Sequence, residues 1–77
     1  MYTLIRSEKF RKWLKKLKDR KAKAQILLRL KRLEQGNFGD HRYLRNKISE
    51  LIFNIGPGYR IFYTIDNKEI VLLFMRR

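Results

Sequence analysis

The chain has no cysteine, one histidine, one proline and only 7 acidic residues among 77. Without cysteine there is no disulfide scaffold and no thiolate metal site. A single histidine gives a conventional zinc site almost nothing to use, so neither a metal nor a cofactor is expected. Glu8, Glu34, Glu50 and Glu69 are scattered and form no paired-carboxylate motif. No glycine loop is placed to cradle a phosphate, and no serine sits in a nucleophile motif. Long apolar runs are also missing. The start, Met1 to Arg6, has no stretch long enough for a signal peptide. The longest apolar run, Ile70 to Met75, is far too short to span a bilayer. These absences predict a cytoplasmic protein.

What is abundant is positive charge. Lys and Arg number 20, giving a formal charge of +13. Solubility asks for a net charge of only about 2–8 in a small domain. An excess of this size repels itself and points to a polyanionic partner, with nucleic acid, RNA above all, favoured. A basic amphipathic helix can instead lie on an anionic membrane, but the apolar stripes here are needed for a sheet, so no membrane partner is expected. Apolar residues make up 44% of the chain and aromatics 13%, enough for a globular fold. A chain this short forms one domain, 1–77, and buries only roughly 60–65% of its unfolded surface. A partner can therefore contribute to its stability.

Periodicity divides the chain into a helical first half and a strand-rich second half. Tyr2 to Ile5 is a strand candidate. Ser7 can cap the next helix, with Glu8 in its first turn. Phe10, Trp13, Leu14 and Leu17 recur at helical spacing on one face. Asp19 can cap a second helix with an apolar stripe of Ala22, Ile26, Leu27, Leu30 and Leu33, stopped at Gly36. Two helices so closely spaced predict an antiparallel hairpin. The stretch 36–40 is a loop by composition. Strands are expected within His41 to Asn46, over Ser49 to Ile55, Tyr59 to Ile65 and Glu69 to Phe74, with turns at Gly56-Pro57-Gly58 and Asp66-Asn67. The fold class is therefore α+β: an N-terminal strand and a helical hairpin packed on one face of a small antiparallel sheet, β-α-α-β-β-β-β.

The turn at Gly56-Pro57-Gly58 implies a register. If Ile55 faces Tyr59, then Leu51, Phe53, Ile55, Tyr59, Ile61 and Tyr63 share an apolar face towards the helices. Glu50, Ile52, Asn54, Arg60, Phe62 and Thr64 fall on the other. A slip of one residue would swap the faces.

Arg60 stands out, because β-propensity would not place an arginine in mid-strand. Its guanidinium can hold a phosphate through two hydrogen bonds, or pair with Glu50 on the neighbouring strand. The candidate nucleic-acid contacts are Lys12, Lys15 and Lys16 on the first helix and Arg42, Arg45, Lys47 and Asn54 in the second half. Such residues attract phosphates without reading sequence. His41, the only imidazole, can shuttle a proton during RNA cleavage or be an inert surface histidine. Tyr43, Tyr59 and Tyr63 can stack on bases, although Tyr59 and Tyr63 fall on the expected core face.

The runs Leu17-Lys18-Asp19-Arg20-Lys21-Ala22, Leu33-Glu34-Gln35-Gly36-Asn37-Phe38-Gly39-Asp40, Ser49-Glu50-Leu51 and Gly56-Pro57-Gly58-Tyr59-Arg60-Ile61-Phe62-Tyr63 carry a family resemblance. The chain resembles the addiction-module killer proteins, HigB-like toxins of the RelE/ParE superfamily, over nearly its whole length. The resemblance implies a RelE-like fold and the toxin of a type II toxin–antitoxin system, neutralised by a cognate antitoxin. It implies ribosome-dependent, metal-independent cleavage of mRNA by attack of a ribose 2′-hydroxyl on the adjacent phosphate. Arg60 matches the arginine that stabilises that phosphate. Other members of the superfamily inhibit DNA gyrase, and a toxin-like module that binds an antitoxin without activity is a third possibility. Two departures are visible. Ile52 stands where this branch commonly has a basic residue. The chain also ends at Met75-Arg76-Arg77, where relatives continue into a C-terminal tail with catalytic residues. Arg76 and Arg77 are the candidates to replace that tail's charge, giving a catalytic set of Arg60, His41, Arg76 and Arg77. A homodimer or a toxin–antitoxin hetero-oligomer is compatible with an exposed sheet edge.

Overall fold

The computed structural model describes all 77 residues. In chain order they form β1 (Thr3–Arg6), α1 (Glu8–Lys16), α2 (Arg20–Glu34), β2 (His41–Arg45), β3 (Ile48–Phe53), β4 (Tyr59–Asp66) and β5 (Glu69–Arg76). This is the α+β order expected from the sequence.

Both helices start where a side chain can stand in for a missing backbone acceptor. The Ser7 hydroxyl accepts from the Phe10 amide at 3.0 Å, and the Asp19 carboxylate accepts from the Ala22 amide at 3.1 Å. Phe10 and Leu14 of α1 are buried, with Trp13 and Leu17 packed at the edge of the core. In α2 the buried stripe is Ala22, Ile26, Leu30 and Leu33, whereas Leu27 stays exposed. Leu27 follows directly on Ile26, so it lies about 100° round the helix from the stripe's centre.

The sheet has five strands in the order β1-β5-β4-β3-β2. The four C-terminal strands are joined by short turns and are antiparallel, while β1 runs parallel to β5. The sheet is thus mixed. Tight hairpins force antiparallel neighbours, and β1 has no hairpin to fix its direction. Two hydrogen bonds from Ser7, just past its end, help anchor it. The Ser7 amide donates to Leu72 O at 3.0 Å, and the Ser7 hydroxyl donates to Leu73 O at 2.6 Å. Leu73 is the extra residue of a bulge in β5, where Phe62 pairs with Phe74 but Tyr63 pairs with Leu72.

The β3–β4 register has Phe53 opposite Tyr59, not Ile55 opposite Tyr59. The connection is longer than the sequence reading assumed, with a turn closed by the Gly58 amide on Ile55 O at 2.8 Å. The pairing moves by two residues, so each side chain keeps its face. Leu51, Phe53, Tyr59, Ile61 and Tyr63 accordingly join Ile70, Leu72 and the helix residues in one core. Gly39 in the loop before β2 has φ +63°, and a Cβ there would lie 3.2 Å from the Arg29 guanidinium. The glycine makes room for that side chain as well as for the turn.

Candidate functional site

The face of the sheet turned away from the helices has no covering layer. Partners opposite each other in an antiparallel pair share a face, so the register assembles its residues. Arg42 lies opposite Glu50, Glu50 opposite Phe62, Phe62 opposite Phe74, and Arg60 opposite Arg76. Four strands therefore deliver Arg42, Glu50, Arg60 and Arg76 to one surface. Arg77, next along the chain, joins them around a groove of about 400 Å³ that Leu44 and Phe62 also line.

Glu50 is at the floor of this groove. It is the single buried charged residue, 1% exposed. Its Oε1 accepts from Arg42 at 2.8 Å and from Arg60 at 2.9 Å. Both arginines remain open to solvent, at 61% and 47% side-chain exposure. The Arg60–Glu50 pairing raised by the sequence thus exists, and it leaves much of the Arg60 guanidinium accessible. With four guanidiniums against one carboxylate, the groove carries a formal charge of +3. Arg42 and Arg60 are preorganised by the carboxylate beneath them, which suits an incoming phosphate.

The other candidates divide by position. Asn54 adjoins the groove, lining a second depression with Arg60, Arg77 and the Pro57-Gly58 turn. Arg45 and Lys47 flank the β2–β3 hairpin. Asn46 and Lys47 have φ of 51° and 64° there, as a two-residue turn of this hand requires. Lys12, Lys15 and Lys16 are exposed on α1 in the helical layer, and Lys12 pairs with Glu8 at 3.4 Å. They share no pocket with the arginine groove.

His41 lies opposite Leu51, a core residue, and so belongs to the helix-side face. Its Nδ1 is 2.8 Å from Gly39 O, and its ring packs on Phe38 with centroids 5.4 Å apart. It is therefore not brought together with Arg60, Arg76 and Arg77. Tyr59 and Tyr63 are buried, as their strand positions implied, and Tyr43 is exposed with its hydroxyl accepting from the Lys47 amide. Burial pushes the Tyr63 phenol above its ordinary value, with the neighbouring Ser49 side chain and the Arg29 charge working the other way. The residues that sequence reasoning passed over are Glu50, weighed there only as a partner of Arg60, and the aromatic pair Phe62–Phe74. Alternation alone put Glu50 and Phe62 on the Arg60 face, whereas Phe74 reaches it only through the bulge at Leu73, since Ile70 and Leu72 before it face the core.

Over 64 residues, 83% of its length, the chain is 45% identical to an uncharacterized protein of Haemophilus influenzae. It spans 65% of that protein. No family model matches the chain, and no solved structure matches it. No helix is long and apolar enough to cross a membrane.

Proposed function

We propose that the protein is the toxin of a type II toxin–antitoxin pair, acting in the cytoplasm as a ribosome-dependent mRNA endonuclease. The observation that carries this reading is the groove in which Arg42, Arg60, Arg76 and Arg77 surround the Glu50 carboxylate. The family resemblance supports the same function through Arg60.

The reaction needs positive charge on the phosphate, a proton acceptor and a proton donor. In it, a ribose 2′-oxygen forms a bond to the adjacent phosphorus as the bond to the 5′-oxygen breaks. The products are a 2′,3′-cyclic phosphate and a 5′-hydroxyl. The arginines bind the phosphate oxygens and stabilise the charge that builds on them. Glu50 is the one carboxylate in the groove, and its place there favours it over His41 as acceptor of the 2′-hydroxyl proton. Phosphate binding draws Arg42 and Arg60 towards the substrate and loosens their hold on that carboxylate. Arginine keeps its protons, so the departing 5′-oxygen takes its proton from solvent. An acidic antitoxin segment laid across the +13 domain would neutralise the same surface.

The test is mapping of cleavage sites on a defined mRNA, with and without programmed ribosomes. Wild-type protein is expected to cut only with ribosomes. Arg60→Ala is expected to lose at least about 100-fold in cutting, the scale of removing one transition-state donor. Glu50→Gln should also cut poorly while binding RNA at least as well, because a negative charge has left the groove. Wild-type protein that folds but never cuts would refute the nuclease reading, and inhibition of gyrase supercoiling would then be measured.

A further inference from the structure

The uncovered sheet face holds more than charge. Phe62 and Phe74 stack beside the arginines, ring centroids 4.6 Å apart and planes inclined by 36°. Phe62 is buried, but Phe74 is 37% exposed. The Phe62–Phe74 pair lies two residues along β4 and β5 from the Arg60–Arg76 pair. That is a separation of roughly 7 Å on the same face. An aromatic ring and a phosphate-binding group thus stand within one nucleotide's reach of each other.

A third group completes the setting. β1 pairs with β5 only as far as Leu72, so the last part of β5 has a free edge. Across it Lys9 of α1 places its Nζ 5.4 Å from the centroid of the Phe74 ring. The ammonium sits over the ring by cation–π attraction and can swing to a phosphate when a ligand arrives.

We infer that Phe74, backed by Phe62 and flanked by Lys9, is the platform on which a base of single-stranded RNA stacks beside the arginine groove. The inference rests on the RNA reading above and adds the contact that recognises a base. Charge complementarity selects a polyanion, and the exposed ring selects one whose bases are free. In a duplex the base faces are already stacked, so Phe74 would have nothing to engage. Stacking of this kind tolerates any base, because every base has a π-face. Phe74 thereby holds the strand in place without dictating its sequence.

The experiment measures binding of the full chain to short fluorescent RNA strands at one fixed salt concentration. One strand carries bases, a second of equal length is abasic, and a third is the duplex. Wild-type protein is expected to bind the base-bearing strand about tenfold more tightly than the abasic strand. Phe74→Leu keeps apolar packing against Phe62 and should bring the two affinities within about twofold. Phe74→Tyr and Phe74→Trp should restore the preference. Equal binding of both strands by wild-type protein overturns the stacking role and needs no variant to fold. In that case a loss on both strands in Arg60→Ala would leave the phosphate groove standing. If neither strand binds, the platform is overturned, while the nuclease reading is decided separately by the ribosome-dependent cleavage assay.

Discussion

Arg29 directs its guanidinium inward. It donates to Ile52 O at 2.7 Å, Asp40 O at 3.0 Å and Phe38 O at 3.2 Å, and lies over the Phe53 ring at 4.4 Å. Burial lowers its pKa from the ordinary value, and the Asp40 charge works against that shift. One side chain thus ties α2 to β3 and to the loop before β2, which presents Arg42. Arg29→Ala would take a donor from three carbonyls, of which Asp40 O keeps the Ile52 amide, and we expect a loss of roughly 2–4 kcal/mol in urea unfolding. Arg29→Lys should recover only part, because an ammonium cannot span the fork of acceptors. Tyr63 makes a separate prediction about pH. Its folded pKa lies above the ordinary phenol value, so the folded state holds its proton where the unfolded state releases it. The associated stability is complete below the unfolded-state value of about pH 10 and is lost as pH rises from there through the raised value. Thermal melting from neutral pH to pH 11 should therefore fall more steeply for wild type than for Tyr63→Phe.

At the scale of elements, both helix caps, the two-period alternation of β3 and β4 and the chain order were legible in the sequence, because each depends on neighbours within a few residues. The parallel direction of β1 was not. It depends on Leu72 O and Leu73 O, accepting from a residue 66 positions away at its farthest. The bulge at Leu73 left no local mark in an unbroken apolar run. The open face was legible in outline from alternation alone, and the two-residue change of register left it intact. His41 was misleading because chemistry, not position, singled it out. An edge strand shows one face to the core side and one to the groove, and the pairing with Leu51 decides which. The junction of β1, α1 and β5 turns on Ser7, whose hydroxyl serves the helix cap and the bulge together. Ser7→Ala should cost about 1–2 kcal/mol. Hydrogen exchange should show the loss at the start of α1 and at the β5 bulge together, whereas a simple cap would free only the helix.

For the whole molecule the governing quantity is a formal charge of +13 on 77 residues. Few of those charges are neutralised internally, since the ion pairs within 4.0 Å are Lys12–Glu8, Arg42–Glu50 and Arg60–Glu50. Self-repulsion of this kind weakens the compact state, and a polyanion relieves it while releasing its own counterions. The affinity for single-stranded RNA should then fall linearly on a log–log plot against salt, with a slope of about −0.7 for each phosphate contacted. Arg60→Ala should make that slope shallower by about 0.7 and weaken binding alike for unrelated sequences. Lys16→Ala, on the helical layer, should alter the slope less if the groove is where the strand lies. Glu50→Gln should move the affinity the other way, because both its arginines become free for phosphate. A slope near zero in wild-type protein would mean that no counterions leave, and the charge would then have to be explained by an acidic protein partner rather than by RNA.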